Sequence, residues 1–218
     1  MTKRTIIGQD NRKRVKDTRT YPFSAVCCLR LLNSNGARGL GSGCVIGDRV
    51  VLTAGHNLCG NTRVNAEGWT PFVTVLAGLR NATDNAPHVT VGPSSLRVPK
   101  QWWFNRDRRY DFGVIILPHV LTKPVPIQEA ESGKVNVIGY PSGRKRTMWA
   151  MLGQATVNNS QLNYTIDTSP GQSGSGIFKW QDPPTVIGVH AYGSSRNYGV
   201  AFNVHTIRIL QELAEGLL

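Results

Sequence analysis

Apolar residues come along this chain in short bursts. Residues 24–32, 43–46, 50–53, 72–79, 89–91, 112–117, 135–138, 162–166, 176–180 and 186–192 are each rich in β-branched or aromatic side chains, with Gly, Pro, Asn and Asp between them. A burst this short cannot lay a full apolar stripe along a helix, but it can cross a sheet. The pattern therefore predicts an all-β sandwich or barrel. One segment differs. Over residues 204–218, Ile207, Leu210, Leu213 and Leu217 recur at three- to four-residue spacing, which predicts a C-terminal helix docked by one face. Pro118, Pro124 and Pro126 mark an extended connector, so a boundary between two halves is expected at residues 118–133.

Composition narrows the class. With 40% apolar and 17% charged residues, the chain buries enough surface to offset the entropy lost on folding. Its 218 residues suffice for one domain with a full core or two packed lobes. No apolar run approaches the ~18 residues of a membrane span, and Met1-Thr2-Lys3-Arg4 lacks the apolar core of a signal peptide. The balance of 25 Lys+Arg against 13 Asp+Glu, net +12, attracts anions such as acidic peptides, nucleic acid or acidic glycans. The basic runs at 12–14, 106–109 and 144–146 read as solvated loops. Trp102 and Trp103, just before the second run, read as a packed loop over the first half.

Cys27, Cys28, Cys44 and Cys59 lack paired C-x-x-C spacing, which argues against a structural zinc site, and no metal is expected. Adjacent Cys27 and Cys28 point to opposite faces of a strand. Four free buried thiols and a single bridge both fit.

Three segments carry candidate chemistry. His56 follows the apolar run Val50-Val51-Leu52-Thr53-Ala54-Gly55. Asp111 opens the run Phe112-Gly113-Val114-Ile115-Ile116-Leu117. Ser173 sits in Thr168-Ser169-Pro170-Gly171-Gln172-Ser173-Gly174-Ser175-Gly176. Separately each is weak, since His after a strand, Asp before one and a glycine-rich turn are all common. Together they supply a nucleophile, a general base and a carboxylate to orient the base. A serine hydroxyl is too weakly acidic to attack an amide until an imidazole takes its proton. The imidazole in turn needs a carboxylate to hold its tautomer and stabilise the imidazolium. The developing oxyanion needs two backbone N–H donors, which Gly171 and Ser173 would supply.

These segments resemble the chymotrypsin-fold serine peptidases, and further detail resembles their bacterial glutamyl endopeptidase branch. Ile6-Ile7-Gly8-Gln9-Asp10, Ile138-Gly139-Tyr140-Pro141-Ser142-Gly143, Tyr164-Thr165-Ile166-Asp167-Thr168 and Gly188-Val189-His190 carry that second likeness. The resemblance implies two six-stranded antiparallel β-barrels with a C-terminal α-helix. Residues 5–118 would form the first barrel with His56 and Asp111, 119–133 the connector, 134–203 the second barrel with Ser173, and 204–218 the helix, all one peptidase domain. It also implies Thr168 and His190 as donors to a substrate carboxylate, and Ala191-Tyr192-Gly193 as the strand that pairs with the substrate backbone.

In this branch the mature N-terminal amine lies near the acidic substrate side chain, and Thr5 matches that position. Residues 1–4 are then a pro-segment remnant, with Met1 as a natural start the alternative. The implied activity is endopeptidase cleavage after Glu, less well after Asp, by a secreted monomer without a cofactor, acting on protein or peptide substrates with acidic residues. The basic surface adds polyanion contact. A serine peptidase of other specificity and an inactive basic binding module are the rival readings. One departure is local: Asn57 stands where many relatives have a cysteine, and the position of its partner matches Gly41, so a disulfide beside His56 is not expected.

Overall fold

The computed structural model of the chain describes residues 6, 9–32, 36–60, 68–193 and 197–218. In chain order the elements are β1 (Lys13–Arg14), β2 (Val26–Leu32), β3 (Arg38–Gly47), β4 (Val50–Thr53), α1 (Gly55–Leu58), β5 (Phe72–Ala77), β6 (His88–Val91) and β7 (Leu96–Arg97). There follow α2 (Lys100–Asn105), β8 (Gly113–Ile116), β9 (Gly133–Gly139), β10 (Trp149–Asn158), β11 (Gln161–Tyr164), β12 (Gly176–Lys179), β13 (Thr185–Gly193), β14 (Asn197–Ala201) and α3 (Val204–Leu213).

Two antiparallel sheets divide these strands. The second half runs β9-β10-β11-β14-β13-β12 and returns to β9, closing a six-stranded barrel, with β1 paired to the free side of Trp149 and Ala150 on β10. The first half is a seven-stranded curled sheet in the order β6-β5-β2-β3-β4-β8-β7. Two closed six-stranded barrels were expected. The first half differs because its edge strands β6 and β7 do not pair among the described residues, and β7 offers only Leu96 and Arg97 for a closing ladder. The fold is mostly β and chymotrypsin-like.

Burial explains which strands the sequence pattern missed. β10 is ten residues long, yet only Ala155 in it is buried, so it shows no apolar alternation. β14 is rich in Asn, Tyr and Gly rather than branched side chains. The expected helix forms and stops at Leu213. Asn203 caps it by accepting from the Thr206 amide at 2.9 Å, Leu210 is fully buried, and the helix packs back on β8 of the first half.

The two halves share a core. Ile138, Tyr140, Phe178, Val189 and Phe202 from the second half belong to the same buried cluster as Val26, Leu29, Leu52 and Phe112 from the first. The buried Tyr140 hydroxyl also donates to the Leu79 carbonyl at 3.0 Å, so a chain reversal in one half is tied to a loop in the other. A cleft between such halves has walls that hold position.

Candidate active site

His56 and Asp111 meet because of strand register. β4 and β8 are antiparallel neighbours with Thr53 opposite Gly113, so residues just after Thr53 lie beside residues just before Gly113. The chain leaves β4 through extended Ala54 into the single turn α1, which carries His56. It enters β8 from a 3-10 turn over Arg108–Tyr110, which delivers Asp111. The Asp111 carboxylate is fully buried and both oxygens are engaged: Oδ2 lies 2.8 Å from His56 Nδ1, and Oδ1 accepts the His56 backbone N–H at 2.8 Å. Ring and main chain of His56 are thus held by one carboxylate.

Burial alone would pull the His56 pKa down, but the charge of Asp111 and its hydrogen bond outweigh that and raise it above the ordinary 6.5. A base must be neutral to take a proton. Turnover should therefore rise with pH through a midpoint above 6.5, and Asp111→Asn should move that midpoint down. A pH–kcat profile of both proteins checks this. The stability term has the opposite sign: the folded chain binds the proton more tightly, so the contribution is full below about 6.5 and is lost as pH rises through the folded pKa. A wild-type midpoint at or below 6.5 would contradict the geometry.

Ser173 occupies a loop tightened by Gln172 N–H to Ser169 O at 3.1 Å and Ser175 N–H to Gln172 O at 2.9 Å. Gly171 and Gly174 adopt φ of +92° and +88°, and a Cβ on Gly174 would run into Ser42 O and Thr53 Oγ1. The loop is fastened to the His56 side. The Ser173 carbonyl accepts from Ser42 N at 2.9 Å and from Asn57 Nδ2 at 2.9 Å, and Asn57 Nδ2 also donates to Thr53 Oγ1 at 3.0 Å. Asn57 faces Gly41, where a Cβ would lie 2.8 Å from Nδ2. All four cysteines are free and buried. Where a disulfide is missing beside His56, an asparagine ties the base segment directly to the serine segment. The Ser173 hydroxyl makes no hydrogen bond to His56 among the described residues, a looseness common before substrate binds.

The N–H groups of Gly171 and Ser173 donate to no other described group. Two bonds set the direction of the first. Ser142 N–H holds the Pro170 carbonyl at 2.7 Å, and in a trans peptide the following N–H, that of Gly171, points the opposite way. The Ser42 hydroxyl holds the Gly171 carbonyl at 2.8 Å. Pro170, which costs the loop one donor, leaves this arrangement intact because its carbonyl is the part in use.

Thr168 and His190 are both buried. His190 Nδ1 lies 2.6 Å from the Tyr164 hydroxyl. Burial, followed by the charge of nearby His56, pushes the His190 pKa down to about 3. Burial raises the Tyr164 pKa well above 10, so the phenol keeps its proton and can donate it to Nδ1. With the phenol as the donor, the imidazole proton is on Nε2. Ala191, Tyr192 and Gly193 continue along β13, where the ladder with β14 is irregular between His190 and Tyr192. The Tyr192 ring lies 5.7 Å from the His56 ring. Thr5 lies outside the described residues.

Residues 41–189 match the family model for the Trypsin-like peptidase domain. The chain belongs to that family. It is 28% identical to a glutamyl endopeptidase of Bacillus licheniformis, an alignment covering 98% of this chain and 68% of that protein. It is also 28% identical to a protein of Bacillus subtilis named extracellular metalloprotease, covering 89% of this chain and 65% of that one. The chain thus spans about two thirds of the length of each. A solved Glu endopeptidase in complex with MPD superposes with a TM-score of 0.84 over 97% of this chain and 100% of that one, at 22% identity, which shows the fold. This trypsin-like peptidase is a hydrolase of the serine type. Among the described residues no helix is long and apolar enough to cross a membrane.

The sequence reading of this trypsin-like peptidase missed Arg12. Placed in a solvated basic run, it is instead buried, with 1% side-chain exposure. Its guanidinium pairs with Asp10 at 2.7 Å and donates to Ser169 Oγ at 2.8 Å and Gln172 Oε1 at 2.6 Å, the last two within the Ser173 loop. Asp10 also pairs with Arg144 at 2.8 Å, so that run is not simply solvated either. Lys13 and Arg14, by contrast, are exposed as expected. The one local signal was an aspartate two residues before the arginine. Arg106 also departs from a solvated loop, donating to Cys59 Sγ at 3.0 Å and lying over Trp102, which is buried as expected.

Proposed function

We propose that this trypsin-like peptidase cleaves peptide bonds after Glu, and less well after Asp, through an acyl-enzyme. His56 takes the Ser173 proton as Oγ attacks the carbonyl carbon, Asp111 stabilises the imidazolium, and the Gly171 and Ser173 N–H groups receive the oxyanion. Collapse expels the amine, which takes the proton from His56. Water, deprotonated by His56, then attacks the ester and frees Ser173. The observation that carries the reading is the held His56–Asp111 pair fastened through Asn57 to the Ser173 loop, beside two amides with no other partner among the described residues.

Preference for Glu rests on the pocket. Thr168 offers a hydroxyl and neutral His190 its Nε2–H, and both are buried, so an entering carboxylate meets donors without a competing water shell. The free amine of Thr5, after removal of residues 1–4, belongs to the same reading, as does work outside the cell on acidic protein substrates by a monomer. The net charge of +12 draws such substrates in, an attraction that added salt weakens.

The test is a set of otherwise identical peptides with Glu, Gln, Asp, Phe, Lys or Ala before the bond, with and without a chelator. Glu should exceed Gln by about 10- to 100-fold in kcat/KM, since a hydrogen bond to a charged group contributes ~1.5–3 kcal/mol. A preference for Lys or Phe would keep the peptidase and remove Thr168 and His190 from specificity. Full turnover in Ser173→Ala together with chelator inhibition reversed by metal would overturn the serine mechanism.

A further inference from the structure

The run 106–109 holds three arginines, and two have evident duties. Arg106 lies over the Trp102 ring at 5.5 Å and donates to Cys59, while Arg109 pairs with Asp107 at 2.7 Å. Arg108 is different. It is exposed, and among the described residues no carboxylate forms an ion pair with it. Its guanidinium sits 5.0 Å above the Tyr192 ring, and Nη1 donates to the Tyr198 hydroxyl at 3.3 Å. Tyr192 and Tyr198 are themselves stacked at 5.2 Å, and Tyr192 lies against His56. Asp111, three residues on, is buried behind this group; its oxygens hold His56, and the Tyr192 side chain bonds to it as well. A positive charge is therefore held on an aromatic shelf at the edge of the base, open to solvent, with the charge of buried Asp111 nearby but no ion-pair partner among the described residues.

The proposal for this cation rests on the peptidase reading above. A substrate paired along Ala191–Gly193 is extended, and successive side chains of an extended segment point to opposite faces. If the residue before the bond enters the pocket of Thr168 and His190, the residue preceding it points the other way. That direction is toward His56, since the base must lie beside the bond being cut. The side chain then meets Tyr192 and the guanidinium above it.

We propose that Arg108 forms an acidic subsite: Arg108, on the Tyr192–Tyr198 shelf, selects Asp or Glu at the second residue before the scissile bond. The planar guanidinium offers a forked pair of donors to a carboxylate. The aromatic shelf limits the orientations it can adopt, which lowers the ordering cost of the contact. The enzyme then reads two neighbouring acidic side chains by different chemistry, the inner one with neutral buried donors and the outer one with an exposed cation.

The test uses peptides that differ only at the second residue before the bond, carrying Asp, Asn, Ala or Lys there. The residue before the bond is the one that the panel above finds best, so a failed glutamate preference leaves this experiment intact. The readout is the ratio of kcat/KM for the Asp peptide to that for the Lys peptide within each protein, which cancels differences in folded fraction. The wild type should favour Asp roughly three- to tenfold at low salt, the range of a surface ion pair and somewhat beyond. Arg108→Glu should invert the ratio, Arg108→Gln should bring it near one, and added salt should shrink the wild-type ratio. An unchanged ratio in Arg108→Glu, or a change confined to another substrate position, would overturn the assignment.

Discussion

Ser173→Ala is expected to lower kcat by about 10⁴- to 10⁶-fold, the range for removing the nucleophile of a serine, histidine and aspartate set, which is the role proposed for Ser173. The variant is a clean probe because Ser173 supports the fold through its main chain. Its carbonyl accepts the bonds from Ser42 and Asn57, and alanine keeps that carbonyl. The melting temperature should therefore stay close to that of the wild type while turnover disappears. A small residue of activity above water should remain, from the Gly171 and Ser173 amides. Asp111→Asn belongs to the same experiment. One Asp111 oxygen faces His56 Nδ1 and the other accepts the His56 amide, so an Asn side chain cannot accept from both. It fixes the wrong tautomer or loses the main-chain bond, and a loss of about 10⁴ is expected. Peptide hydrolysis under saturating substrate, paired with thermal unfolding, measures both. Retention of even a few per cent of turnover in a folded Ser173→Ala protein would remove Ser173 from the chemistry.

Arg12→Met produces the largest expected loss of stability. The buried guanidinium holds Asp10, Ser169 and Gln172 together, and without it Gln172 and Ser169 lose a partner while Asp10 keeps Arg144. Asp10 is partly exposed and keeps Arg144, so the loss comes from Ser169 and buried Gln172 left without their partner, about 1–3 kcal/mol, which for a domain of this size lowers Tm by roughly 5 °C. Arg12→Lys keeps the charge and loses the fork, so it should fall between the two.

The acid limb carries a second signature. The bonds and charge of Arg12 hold the Asp10 pKa well below the ordinary 3.8, against the opposing effect of burial. Its stabilising contribution is therefore present above about 3.8 and lost as pH falls through the folded value. Arg12→Met should flatten the acid dependence of Tm as well as lower it. Turnover should also drop, by about tenfold, because Gly171 lies between the two loop residues that Arg12 braces. An unaltered melt in Arg12→Met would show that this contact does no structural duty.

The sequence by itself determined the features that depend on neighbouring residues. Short apolar bursts between turn formers signal strands because each strand buries its own alternate or continuous face, and most strands of both sheets were legible that way. The helix over α3 was legible from its apolar spacing. The segments around His56, Asp111 and Ser173 stood out because each joins a polar group to the end of an apolar strand. β10 was hidden because nine of its ten residues are not buried, so hydrophobicity left no trace of a strand that is held by backbone bonds to β9, β11 and β1.

Only the tertiary structure decided which distant groups meet. The register of β4 against β8 puts Asp111 beside His56, and nothing within either segment encodes that pairing. Asn57 reads as a missing cysteine until its amide is seen holding the Ser173 carbonyl. Arg12 and Arg108 look alike in sequence, each inside a basic run. One is buried against Asp10 and the Ser173 loop, while the other stands exposed on Tyr192. The charge of an arginine is local, but its use depends on which distant groups reach it, the Ser173 loop in one case and two tyrosines in the other, and that is settled by packing across the fold.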